Sequence, residues 1–487
     1  MLLSLLLVIV GALPSPAGSD LPTVASYSLL PDSYLLDECP PCARPSIRQP
    51  LRGKFDLRLV EENPLFSRYA VEELVLTAGS AGGRFYKITG QGTYTVGGEV
   101  ALIQNLELQL WIDDGQTNRL CVLTNATPQV SRLWPILAAT VVQTNGTFTQ
   151  VYEMNWLAAP LIEMWFSTAH GLTPGSVPPP IRPITGGDVL SSAGRVVKSN
   201  LDLVAVLNLS PKPPSTDLNV DAMSVFPGGE MVFSLDRDVL SDRLGWLREG
   251  DLLSDRGRIV HRNQDLTAAL SQMPPAPDVG LDGVQVLSTG EIYFSVKQSF
   301  FSERLGRSIR AGDLLSNRGL VIRTQEQLLE KFKPLDPKRD YGLDAFYVWP
   351  SGEVWFSVET GFQGQNQEHY GQGDLLSDQG YLVMRNLELV APFQPLEDLA
   401  DFGLDGLFVI ADIESGFFPP RFTRIHRSPG PLVTVDMSWE AKAHVWEVLR
   451  SQSPLGPWLS VSPLTTELTF TDHSAPNGRA YYRLRQW

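Results

Sequence analysis

Positive charge is scarce in this chain. Its 39 Lys and Arg stand against 54 Asp and Glu, a formal net charge of −15 over 487 residues. Holding a nucleic-acid backbone takes clustered Lys and Arg that displace counterions, so nucleic acid is excluded as a partner. Long apolar runs are missing too: residues 2–13 (LLSLLLVIVGAL) are 12 in number, and a membrane-spanning helix needs roughly 20. The six histidines (His170, His261, His369, His426, His444 and His473) show no ligand spacing. No H-E-x-x-H, G-x-S-x-G, G-x-x-x-x-G-K-[ST] or helix-opening G-x-G-x-x-G occurs, so the common hydrolase, P-loop and dinucleotide signatures are absent. Charged residues make up only 19% and hydrophobic ones 43%, which suits packed cores and excludes general disorder.

What is present begins with an address. A run of 12 apolar residues followed by Pro14-Ser15-Pro16-Ala17 fits the core and small-residue cut of a secretory signal. Residues 1–17 are therefore expected to be a cleaved signal peptide, and the mature chain to be secreted or periplasmic without a transmembrane anchor. In such a compartment Cys39 and Cys42, separated by Pro40-Pro41, are expected to form a structural disulfide rather than a redox pair. Cys121 is left over.

Gly 41 and Pro 37 suggest many turns between short strands. The strongest pattern is a repeat. Gly-Asp-Leu-Leu-Ser begins at Gly250, Gly312 and Gly373, with Gly187-Asp188-Val189-Leu190-Ser191 as a fourth copy, at steps of 63, 62 and 61 residues. Each full unit reads as four strands, such as 345–349, 353–358, 374–377 and 381–385, followed by a helical turn like 325–330. The second strand is apolar on both faces and so is expected to be buried on both. The front of the array lacks a convincing first strand, and 402–409 supplies one at the back; residues 151–157 are the alternative source. That complement predicts a closed four-bladed β-propeller over 161–412.

Around it, residues 20–160 predict an all-β sandwich or barrel, with hairpins turning at Gly90–Gly92 and at Thr144-Asn145-Gly146. Asp113-Asp114-Gly115 reads as a hairpin turn. Residues 417–487, beyond a Pro-rich boundary, predict a sandwich with Trp439 and Tyr482 as core aromatics. The fold class is thus all-β throughout.

Asp-Ala opening a first strand and Gly-Glu-x-Tyr-Phe in the second resemble the hemopexin-type four-bladed propeller over half of each repeat. The tail is similar to a fibronectin type III domain. The repeated Gly-Asp-Leu-Leu-Ser and the segment 480–487 (AYYRLRQW) resemble uncharacterised secreted proteins of Verrucomicrobia-type bacteria, which implies export and a β architecture and no activity.

Acids fall into three rings. Asp221, Asp282, Asp344 and Asp405 open the first strands, where a propeller axis would bring them together around a structural Ca²⁺, as the hemopexin resemblance also implies. The alternative is that each accepts backbone hydrogen bonds and fixes a turn. Asp188, Asp251, Asp313 and Asp374 are expected to cap turns. Glu163, Glu230, Glu291 and Glu353 recur with a symmetry that argues for structure over glycoside chemistry. Phe300, Phe301 and Tyr370 are candidates either for stacking on sugars or for closing a sheet edge. The expected function is an exported non-catalytic binding or scaffold protein engaging an extracellular glycan or protein. The alternatives are a secreted polysaccharide hydrolase or lyase, which an acid or histidine unique to one blade and facing the channel would mark and for which the sequence offers no candidate, and a structural envelope component.

Overall fold

The computed structural model describes residues 24–487 apart from 43–45, 80–82, 99–101, 126–128, 131–133, 148, 176–182, 211–217, 275–277, 414–419, 429–432 and 477. The expected signal peptide lies outside the described residues. Those residues are all-β, with four short α-helices, and among them no helix is long and apolar enough to cross a membrane.

Ten strands form the first sheet: β1 (Val24–Leu29), β2 (Tyr34–Glu38), β3 (Arg48–Asn63), β4 (Phe66–Ala78), β5 (Tyr86–Gly97), β6 (Ile103–Asp113), β7 (Asn118–Thr124), β8 (Gln129–Val130), β9 (Leu137–Gln143) and β10 (Val151–Ala159). β1 and β2 lie end to end between β3 and β10, and β10 also pairs with β9, so the antiparallel sheet closes on itself. Strict alternation drives this closure. In β6, Gln104, Leu106, Leu108, Leu110 and Ile112 point inward while their neighbours are exposed. The interior is filled by Tyr27, Phe55, Tyr94, Tyr152, Trp156 and the leucines around them, as expected for a closed sheet of about eight positions. Cys121 is buried among them, and Cys39 is disulfide-bonded to Cys42.

One expected turn is absent. Gly90 and Gly92 sit inside β5 rather than between two strands, each where a Cβ would come within 2.2 Å of a β6 carbonyl oxygen. They permit close approach of neighbouring backbone, not reversal. The segment at 144–146 does connect β9 to β10, and Asp114 accepts from the Gln116 and Thr117 amides in the turn after β6.

Four four-stranded antiparallel sheets follow. The second consists of Val220–Phe226, Glu230–Leu235, Leu252–Ser254 and Arg258–His261; the third of Val284–Val286, Ile292–Phe294, Leu314–Ser316 and Leu320–Arg323. The fourth contains Phe346–Val348, Val354–Phe356, Leu375–Ser377 and Tyr381–Met384. The first combines Leu161–Ser167, Val189–Ser191 and Arg195–Lys198 with a strand from far along the chain, Gly406–Ala411, which pairs along Leu161–Ser167. Residues 151–157 belong to β10 and do not supply that strand. The first strands of the four sheets touch in a closed cycle. Second strands such as Val354–Phe356 are buried on both faces.

Hairpins inserted between second and third strands carry the loop aromatics. Phe300 and Tyr370 are buried, Tyr370 packing edge-on against Phe332 at 5.1 Å, whereas Phe301 is exposed. Phe300 and Tyr370 are therefore part of hydrophobic clusters, and of the three only Phe301 presents its ring to solvent.

The tail forms two three-stranded sheets: Arg421–Ser428, Thr434–Glu440 and Thr469–Asp472 in one, and Leu459–Ser460, Trp446–Ser451 and Tyr481–Gln486 in the other. Trp439 is buried against Trp446, with ring centres 6.3 Å apart. Tyr482 is half-buried and donates to Asp472. Asp412, just past the strand Gly406–Ala411, ties the parts together. It accepts from the Ser26 amide at 2.9 Å, Arg485 at 2.9 Å and the Trp487 indole at 2.6 Å. Trp487, His444 and Val445 lie against the far ends of the first strands, so the tail covers that end of the four sheets.

A carboxylate placed in the closing strand would be buried without a partner. Val409→Asp is expected to lower the melting temperature sharply, by about 3 kcal/mol or more of stability. Thermal unfolding of the purified variant checks this; a melt unchanged from the parent would contradict the closure.

Candidate metal centre

The three acid rings are treated very differently by the fold. Glu163, Glu230, Glu291 and Glu353 each accept from the serine closing the third strand of their own sheet: Ser191, Ser254, Ser316 and Ser377. Arg195, Arg258 and Arg318 add charge to the first three, and Tyr381 donates to the fourth. These glutamates are fully partnered and structural.

The ring Asp188, Asp251, Asp313 and Asp374 is partnered as well, and does more than cap a turn. Each accepts from the amide three residues before it and from the first residue of the following helix: Asn200, Asn263, Gln325 or Asn386. That residue's side chain then grips the chain entering the next sheet. Asn263 accepts from the Val279 amide and donates to the Gly280 carbonyl; Asn386 does the same with Phe402 and Gly403. Gln325 accepts from the Tyr341 amide, and Asn200 from that of Leu218. Asp278, Asp340 and Asp401 brace the same entries by accepting from Gly280, Gly342 and Gly403. Two or three residues later stands the aspartate that opens each first strand. The second ring therefore positions the first.

Those opening aspartates do converge. Asp221, Asp282, Asp344 and Asp405 line one cavity of about 290 Å³ together with Asn219, Lys297 and Glu359. All four are at least nine-tenths buried, with 5–7% of their surface exposed. Lys297 places its ammonium 2.6 Å from Asp221. Asp282, Asp344 and Asp405 accept no hydrogen bond among the described residues, from backbone or side chain. The turn-fixing role expected as the alternative is not what they do. Ligand oxygens of Asp282, Asp344 and Glu359 come within 4.8 Å of one another.

Electrostatics express the crowding. Burial raises Asp282, Asp344 and Asp405 well above the usual carboxylate range, and the neighbouring carboxylates raise them further. Asp221 is pushed up to about 6 by burial, with Lys297 pulling the other way. Burial disfavours the Lys297 charge, yet Asp221 holds the ammonium charged above its usual range. Hard carboxylate oxygens with no internal donor suit a cation such as Ca²⁺, which accepts irregular oxygen sets.

Lys297 and Glu359 were not among the sequence candidates. Both stand two residues past the serine that ends the second strand, at Ser295 and Ser357; the same position in the other sheets holds Ala169 and Asp236. Comparing this position across repeats would have exposed them, because it varies where its surroundings do not.

No protein family and no curated protein matches the chain. Among solved structures, one similar chain is described as the extracellular domain of the hybrid two component system BT4673 from B. thetaiotaomicron. It is 7% identical, with 90% of this chain and 76% of that one covered at a TM-score of 0.17.

An acid buried among acids costs stability only when ionised. Because the folded Asp344 holds its proton more tightly than the unfolded chain does, the penalty is absent below about pH 4 and grows as pH rises. In chelator at pH 7.5, Asp344→Asn is expected to melt about 2–4 °C above the parent, the gap closing toward pH 4. A variant that melts lower at neutral pH would show that Asp344 holds the fold together instead.

Proposed function

We propose that this chain is an exported, non-catalytic binding or scaffold protein. In this reading residues 161–412 are a four-bladed β-propeller with a Ca²⁺ at its axis, and 417–487 are a fibronectin type III-like module. Residues 20–160 are a separate β module, and the chain engages an extracellular glycan or protein. The observation that carries the calcium assignment is a contrast. Every acid in two rings has donors, and three of the four axial acids have none. Repeated burial of unpartnered carboxylates is costly, and a divalent cation supplies the missing charge. Binding rather than catalysis is supported by the missing enzyme motifs and by the structural use of the glutamate ring.

One observation favours the second reading, a secreted polysaccharide hydrolase or lyase. Of the two acids at this position of the repeat, Asp236 and Glu359, only Glu359 lines the axial cavity, beside buried acids of raised pKa.

A single experiment separates these. Signal-free protein is incubated with a panel of insoluble glycans and cell-wall preparations, in calcium and in chelator, and both depletion and released sugar are measured. Depletion by one polymer, weakened by chelator and without sugar release, is the expected result. Sugar release would replace it with the hydrolase or lyase. No depletion by any polymer would contradict the glycan partner and favour a protein partner or an envelope component.

A further inference from the structure

The site departs from fourfold symmetry at its mouth, and the departure has a direction. Each second strand exits beside the entry to its own first strand, so the side chain two residues past the serine leans over the aspartate of the preceding sheet. Lys297 of the third sheet reaches Asp221 of the second at 2.6 Å. Glu359 of the fourth reaches Asp282 of the third, and Asp344 of its own sheet, within the 4.8 Å cluster. Asp236 of the second sheet is turned aside by Arg237, which donates to both of its oxygens at 2.7 and 2.8 Å. Ala169 of the first is too short to reach. Glycine holds the two long side chains in place: a Cβ at Gly280 would meet Lys297 Cβ at 2.7 Å, and one at Gly342 would meet Glu359 Cβ at 2.5 Å. Positive φ at these glycines, +75° and +70°, permits that approach.

We infer that Lys297 is a tethered cation that takes Asp221 out of the metal site, and that the ion sits off the axis, held by Asp282, Asp344 and Glu359. This rests on the calcium reading above. The cavity then holds one fixed positive charge at Asp221 and one exchangeable charge on the opposite side. Asp282 and Asp344 are buried, with 5% of their surface exposed, and among the described residues neither carboxylate has a hydrogen-bond donor. Glu359 is exposed, so the ion enters past it from solvent. Lys297 sets the affinity: its ammonium opposes a second positive charge in the same cavity, which limits the site to one divalent ion. It is a positioning residue, acting on the ion through charge rather than touching it.

Calorimetric titration of calcium into metal-free protein tests this, with Lys297→Met, Lys297→Arg, Glu359→Gln and Asp236→Asn beside the parent. The parent is expected to bind one Ca²⁺ per chain. Lys297→Met should bind about tenfold tighter or take up a second ion, and Glu359→Gln should bind about tenfold weaker. Lys297→Arg, which keeps the charge, and Asp236→Asn should stay close to the parent. Melting in chelator checks folding, and Lys297→Gln replaces the Met variant if that one fails to fold. A parent that binds calcium with an affinity indifferent to Lys297 and Glu359 would overturn this inference alone. A parent that binds none would overturn it together with the calcium reading.

Discussion

Pairing between Gly406–Ala411 and Leu161–Ser167 is the contact on which the four sheets depend. It joins segments far apart in the chain and removes the open edge that Leu161–Ser167 would otherwise present. It also fixes both ends of the assembly. Asp405, immediately before the strand, becomes the fourth aspartate of the acid-lined cavity; Asp412, immediately after it, receives Ser26, Arg485 and Trp487. One short strand therefore closes the cycle, completes the acid cluster and anchors the neighbouring parts at the opposite end.

The acid rings form a hierarchy. Glutamates lock second strands to third strands through serine, arginine and tyrosine. The Gly-Asp-Leu-Leu-Ser aspartates lock each sheet to the entry of the next through an Asn or Gln side chain. These two sets satisfy themselves, and in doing so they force the third set together. Like charges brought into a poorly solvated space raise one another's pKa and weaken the fold at neutral pH. The fold tolerates this at Asp282, Asp344 and Asp405, while it partners the acids of the other two rings. Lys297 relieves one quarter of the problem internally.

Much of this was legible in the repeat. Strand boundaries, the buried second strands and the complementary ends all follow from spacing and alternation, because each repeat states the same pattern again. Residues 20–160 were harder. Gly90 and Gly92 look like a turn in sequence, and only the nearness of the β6 backbone shows that they belong to a continuous strand. The convergence of Asp221, Asp282, Asp344 and Asp405 on one cavity could be expected from the repeat, but whether backbone amides reach them depends on loop geometry. The bracing aspartates Asp278, Asp340 and Asp401 recur as Asp-x-Gly-Leu-Asp, a signal in which the first aspartate is as regular as the second. Lys297 and Glu359 escaped for the opposite reason. Repeats draw attention to what is constant, and the site's asymmetry lies at the position that changes.

The most direct measurement is anomalous diffraction from crystals of the full chain grown with a calcium-mimicking lanthanide. A peak between Asp282, Asp344 and Glu359, displaced from the axis and away from Asp221, is the result this account requires. A peak on the axis equidistant from the four aspartates would contradict the role given to Lys297, and a cavity holding only water would contradict the metal centre itself.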